Sequence, residues 1–126
     1  MSKIIVTGGA GFIGSHTVVE LYRAGFEPII IDDFSNSEKS VLDGIEKIIG
    51  TKVSCYTADC NNQQVMDTIF AHEKGITGAI HFAASKAVGE SVQVPIKYYR
   101  NNINSLLVLI EMMLKYQVPN LVFSSS

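Results

Sequence analysis

With 126 residues, 47% of them hydrophobic, and only three prolines, the chain is long enough for one domain that buries roughly two-thirds of its unfolded surface. A net charge of −2 and a pI near 5.9, with lysines and arginines scattered singly, leave no basic stripe for nucleic acid and no polybasic segment for a membrane surface. Small molecules are the expected partners.

The chain opens on an apolar strand pattern, Lys3 to Thr7, that passes directly into glycines and then into an amphipathic helix pattern. Gly9, Gly11 and Gly14 satisfy G-x-G-x-x-G, while Gly8, Gly11 and Gly14 satisfy G-x-x-G-x-x-G. Either spacing suits a dinucleotide-binding turn. The missing Cβ at Gly8 and Gly11 lets backbone amides approach a pyrophosphate, and Gly14 lets the helix pack closely. The helix N-terminus then turns its N–H groups toward the anion. Glycine spacing alone is a weak signal, and context strengthens it. The second buried run, Pro28 to Ile31, ends in Asp32, 18 residues beyond Gly14, near the expected position of a carboxylate that holds the adenosine ribose hydroxyls.

Between these strands lies a helix with Val18, Leu21 and Tyr22 on one face and Gly25 as its stop. After Asp32 comes a polar loop to Ser37, then a predicted helix from about Glu38 to Ile49, carrying Val41, Leu42, Ile45, Ile48 and Ile49 and stopped by Gly50. Lys52 to Ala58 reads as strand three and delivers Asp59. A weaker helical pattern runs from Gln63 to His72. Strand four, Thr77 to Ala84, opens into the segment Ser85 to Ser91. Pro95 is placed as the first residue of a long helix to about Tyr116, with Ile103, Leu106, Leu107, Ile110, Met113 and Leu114 expected inward. Asn120 to Ser126 is strand five. Alternating strands and helices predict a Rossmann-type α/β fold, a doubly wound parallel sheet. Its first five strands take the order 3-2-1-4-5, incomplete at the C-terminus, with ligand over the carboxyl ends.

No secretory signal pattern starts the chain and no apolar run approaches bilayer length, so a cytoplasmic location is expected. Cys55 and Cys60 make no C-x-x-C and are expected as reduced thiols. His16, His72 and His81 lack metal-ligand spacing, and hydrogen-bonded structural roles are expected for them, with no metal assigned.

Residues Gly8 to Thr17 and Ile80 to Val92, with Tyr98-Tyr99, Asn101-Asn102 and Val122 to Ser126, resemble the UDP-glucose 4-epimerase branch of the extended short-chain dehydrogenase/reductase family. The block Lys86 to Ser91 is the most specific of these. The resemblance covers essentially the whole chain, and it implies that the 126 residues are the N-terminal part of such an enzyme, one NAD-binding domain without its substrate domain. It implies NAD as cofactor, a UDP-sugar as substrate, and allows a homodimer once the chain is complete.

Carried over by position, the resemblance places Gly8, Gly11, Phe12, Ile13 and Gly14 at the pyrophosphate turn. Asp32, Asp33, Phe34, Ser35, Asn36 and Ser37 form the adenosine ribose loop, and Asp59 and Cys60 flank the adenine. Phe82, Ala83, Ala84, Ser85 and Lys86 pass along the cofactor, Asn101 contacts it from the long helix, and Ser126 stands beside the reacting sugar hydroxyl. Two departures are visible: Ala84-Ser85 replaces a common Gly-Leu, and Ser105 replaces a common glycine.

The implied chemistry is a transient oxidation at sugar C4, which needs a Tyr-x-x-x-Lys pair whose lysine lowers the tyrosine pKa. Tyr22, Tyr56, Tyr98, Tyr99 and Tyr116 are followed four residues later by Phe26, Cys60, Asn102, Ile103 and Asn120. The general base is therefore missing from these residues. A related sugar-nucleotide dehydratase or reductase, or a non-catalytic NAD-binding module, are the alternative readings.

Overall fold

The computed structural model describes residues 1–35, 37–82 and 95–124. Strands and helices alternate as β1 (Lys3–Thr7), α1 (Phe12–Arg23), β2 (Glu27–Asp32), α2 (Ser40–Ile49), β3 (Ser54–Thr57), α3 (Gln63–His72), β4 (Ile76–His81), α4 (Pro95–Lys115) and β5 (Asn120–Phe123). The five strands form one sheet in the order β3-β2-β1-β4-β5, with every neighbouring pair parallel. This is the predicted doubly wound arrangement.

Side-chain alternation along the central strands decides which core each residue joins. Ile5, Ile29, Ile31 and Ala79 face α3 and α4, where they meet Met66, Ile69, Phe70, Val108, Leu109, Met112 and Met113. Val6 and Ile30 point to the opposite face, onto Val18 and Val19 of α1 and Ile45 of α2. Both faces of β1 and β2 are thus covered, which is why their sequences read as unbroken apolar runs.

The long helix departs from expectation. Among its described side chains, Val108, Leu109, Met112 and Met113 are buried together with Ser105, whereas Ile103, Leu107 and Leu114 are more than half exposed. Of the six residues expected inward, Met113 is buried and Leu106 and Ile110 are half-buried. The helix carries two apolar stripes, and the sheet takes the one whose upper end is a small serine.

At the amino ends of β1 and β4, Lys3 Nζ lies 2.9 Å from Glu73 Oε1, and the Tyr56 hydroxyl donates to Glu73 Oε2. Burial disfavours the Glu73 charge, but the bonds from Tyr56 and Lys3 outweigh it and hold the carboxyl below its usual range. The same burial, with Glu73 as partner, pushes the Tyr56 hydroxyl up to about 12.

Candidate cofactor site

The turn between β1 and α1 begins at Gly8, whose φ of 70° lies in the left-handed region, where a side chain costs energy. Its N–H is anchored on Ile31 O at 2.8 Å, and its carbonyl accepts Gly11 N–H at 3.1 Å. Gly14, one turn into α1, rests on this loop so closely that a Cβ there would stand 2.2 Å from Gly8 O. Gly14 therefore packs α1 against the turn itself, more than against the strand. Helix α1 has Gly11 as its cap residue, no side-chain cap bond and no acidic residue in its first turn. Its opening N–H groups are left for an anion. By contrast, α3 caps itself, with Asn62 Oδ1 accepting Val65 N–H at 3.1 Å.

Asp32 ends β2 and is 8% exposed. Its Oδ2 accepts Ala10 N–H at 3.1 Å and its Oδ1 accepts Phe34 N–H at 2.8 Å. Oδ1 also accepts from the Ser37 hydroxyl at 3.5 Å, so the second lone pair of Oδ2 is the acceptor left for a ligand hydroxyl. The bond at Phe34 accompanies a backbone φ of 61°, an uncommon conformation for a bulky residue. The Asp33 carboxylate folds onto Ser35, accepting from its N–H at 3.0 Å and its hydroxyl at 2.8 Å.

After β3, Asp59 Oδ1 accepts the Asn61 N–H at 2.9 Å, and Asn61 Oδ1 in turn accepts from Asn104 Nδ2 at 2.8 Å. This ties the loop to α4. Cys60 is buried here, and its thiol is pushed up to about 12 by burial and then by Asp59, Asp32 and Asp33. It is a poor nucleophile near neutrality.

These segments enclose a cavity of about 380 Å³ over the carboxyl ends of the strands, a size ordinary for small-molecule sites. It brings together Gly8, Gly11, Phe12, Ile13, Gly14, Asp32, Asp33, Ser35, Ser37, Asp59, Cys60, Phe82 and Asn101, all singled out in the sequence. Phe34 is described but does not line it. Asn36, Ala83, Ala84, Ser85, Lys86 and Ser126 lie outside the described residues. Ala58, Asn61, Asn102 and Ser105 also line the cavity and were not assigned to the cofactor from sequence. Ser105 had a sequence signal, as a departure from the common glycine. Among the described lining residues none is lysine or arginine, while three are aspartates. Among these described residues, the backbone N–H groups at the start of α1 are the group suited to negative charge on a ligand. Among the described residues, no group of three or more His, Cys, Asp or Glu could hold a metal ion, and no helix is long and apolar enough to cross a membrane.

Residues 4–126 match the family described as NAD dependent epimerase/dehydratase. The chain belongs to that family. Within the epimerase/dehydratase family, it is 49% identical over 123 residues to a UDP-glucose 4-epimerase of Bacillus subtilis, covering 98% of this chain and 36% of that enzyme. It is 50% identical over 125 residues to the UDP-glucose 4-epimerase of Dictyostelium discoideum, again covering 98% and 36%. The crystal structure of UDP-glucose 4-epimerase from Bifidobacterium longum, in complex with NAD+ and UDP, superimposes with a TM-score of 0.93 at 45% identity over 99% of this chain and 37% of that one. The chain thus spans little more than a third of the length of these relatives.

Proposed function

We propose that this chain is the NAD-binding part of a UDP-glucose 4-epimerase, residues 1–126 forming its cofactor domain. The observation that carries the reading is the joint between Asp32 and the glycine turn. One buried carboxylate braces Ala10 N–H and also lines the cavity. That pairing suits a ligand with free ribose hydroxyls at one end and a pyrophosphate at the helix N-terminus.

The fit extends to the steric frame, because Gly14 seats α1 against Gly8 and brings Phe12 and Ile13 to the cavity wall. In this reading Asp32 holds the ribose hydroxyls, α1 faces the pyrophosphate, and Asp59 and Cys60 flank the base. Phe82 and Asn101 border the path toward the nicotinamide, continued by Ala83 to Lys86. When bound, NAD supplies the hydride acceptor for the sugar C4 position. Ser126 is assigned to the sugar hydroxyl, and the tyrosine base must come from outside these residues. A serine of ordinary pKa cannot replace it, and absence of a positioned acid–base group costs on the order of a hundred- to ten-thousand-fold. The exposed stripe Ile103, Leu107 and Leu114 on α4 supports a homodimer as the assembled form. A cytoplasmic location remains the expectation.

Calorimetric titration of the purified chain with NAD and NADP tests the cofactor assignment, with NAD expected to bind and NADP to bind more weakly. A Gly11→Asp variant, placing a carboxylate in the turn, is the non-binding control. Wild-type behaviour identical to that control would overturn the assignment. In a coupled assay with UDP-galactose and NAD, turnover no greater than the control is expected from these 126 residues. Activity above it would reveal a base in the chain other than Tyr-x-x-x-Lys.

A further inference from the structure

His81, the last residue of β4, is 2% exposed and does not line the cavity. Its ring nevertheless ties the end of β1, just before the cavity-lining Gly8, to Ser105 of α4, which lines the cavity. Nδ1 is 2.6 Å from Thr7 Oγ1, immediately before Gly8, and Nε2 is 3.4 Å from Ser105 Oγ on α4. Phe123 of β5 stacks on the ring at a centroid distance of 5.8 Å.

The directions of these bonds can be worked out. Ser105 has one hydroxyl hydrogen and donates it to Asn102 O at 3.0 Å. Toward His81 it must therefore accept, which puts the imidazole proton on Nε2. Nδ1 is then an acceptor, and the Thr7 hydroxyl donates to it. Thr7 Oγ1 in turn accepts Phe82 N–H at 3.1 Å. A single ordered chain runs from Phe82 N–H through Thr7, His81 and Ser105 to Asn102 O. Its two ends, Phe82 and Asn102, both line the cavity. A protonated ring would present a second N–H to Thr7 and reverse one link, and burial alone already depresses the His81 pKa to about 4.

We propose that His81 is a positioning residue of the cofactor site, a neutral imidazole with its proton on Nε2 that holds the Asn101–Ser105 turn of α4 in register with the β1 glycine turn. The inference rests on the reading of the cavity as an NAD site. Thr7 alone would hold the β4 end, but only the Nε2 side reaches across to α4. The ring thus sets the gap in which the cofactor is gripped.

Two measurements on the purified protein test this. Imidazole nitrogen shifts in a 15N-labelled sample should identify His81 as the Nε2–H tautomer without any cofactor, and the Nδ1–H tautomer would overturn the proposal whatever becomes of the NAD reading. NAD titration of Ser105→Ala should show three- to tenfold weaker binding. Because Ser105 also borders the cavity, the same change is made in a His81→Asn background, whose shorter side chain cannot reach α4. The Ser105→Ala penalty should vanish there, and His81→Gln, which restores a donor at the Nε2 position, should bind better than His81→Asn. An equal Ser105→Ala penalty in both backgrounds would mean that the serine touches the ligand directly and that His81 positions nothing. If His81→Asn does not fold, Ser105→Ala itself decides, since losing the acceptor must change the His81 tautomer balance. An unchanged balance overturns the proposal. Failure of the wild-type protein to bind NAD would strike the functional reading instead and leave the tautomer result standing.

Discussion

The Asp32 carboxylate accepts the backbone N–H of Ala10 at 3.1 Å, across 22 residues of sequence. The residue expected to read the ribose is also a strut of the turn expected to hold the pyrophosphate. Recognition at the two ends of the cofactor is therefore mechanically joined.

Replacing Asp32 should accordingly do two things. Asp32→Asn turns one acceptor oxygen into a donor facing Ala10 or Phe34, and leaving that N–H unpaired costs about 1–3 kcal/mol of stability. Asp32→Ala should weaken NAD binding much more than NADP binding, because the carboxylate that favours free hydroxyls and repels a 2′-phosphate is gone. Equal losses for the two cofactors by titration would sink the assignment.

Two glycine substitutions should have opposite signs. At Gly14 a methyl group meets Gly8 O at 2.2 Å, backbone that cannot swing away, so Gly14→Ala should cost about 1–3 kcal/mol or more and abolish NAD binding. At Gly44, inside α2, nothing lies within 4 Å of the added carbon, and Gly44→Ala should stabilise by about 0.5–1 kcal/mol through helix propensity. Urea unfolding of both variants checks the pair, and equal shifts would contradict the packing described.

Acid should destabilise the fold through His81. Its imidazole is depressed by burial from 6.5 to about 4, so between those values the unfolded chain binds a proton that the folded chain refuses. The contribution is complete above about pH 6.5 and drains as pH falls toward 4, at most roughly 3 kcal/mol. Denaturation midpoints measured from pH 7 to pH 4 should fall more steeply for the wild type than for His81→Gln. Parallel profiles would show that the histidine is not the responsible group.

These 126 residues should self-associate when purified alone. Leu121, Val122 and Phe123 of the edge strand β5 are 37%, 58% and 51% exposed, and an apolar edge offers an unfilled ladder to another chain. Light scattering should show mass rising with concentration, reduced by Val122→Lys. A sharp monomer at high concentration, with strong amide-exchange protection through Val122, would mean that this edge is already covered.

The order of strands and the sheet topology were legible because β1 and β2 are apolar on both faces and each strand run ends in a polar loop. The glycine turn and Asp32 were legible because their spacing is local. The inward face of α4 was not, since Ile103, Leu107 and Leu114 keep the same helical period as Val108, Leu109, Met112 and Met113. Periodicity cannot choose between two stripes. Asn61 escaped for a different reason: its loop is tied beside the cavity by its contact with Asn104, 43 residues away, which no local pattern encodes. Ser105 was noticed only as a departure, and its bond to His81 supplies the physical meaning.

The cluster of Lys3, Tyr56 and Glu73 gives an engineer a separate control. It ties the end of α3 to β1 and β3 and none of its members lines the cavity, whereas Thr7, Asp32 and His81 hold elements that do. Changes in the first group move the melting temperature of the free protein and leave the affinity for a cofactor where it was. Changes in the second group move both together. Plotted against one another, variants of the two groups would fall on different lines, and resistance to heat could be raised without retuning what the cavity holds.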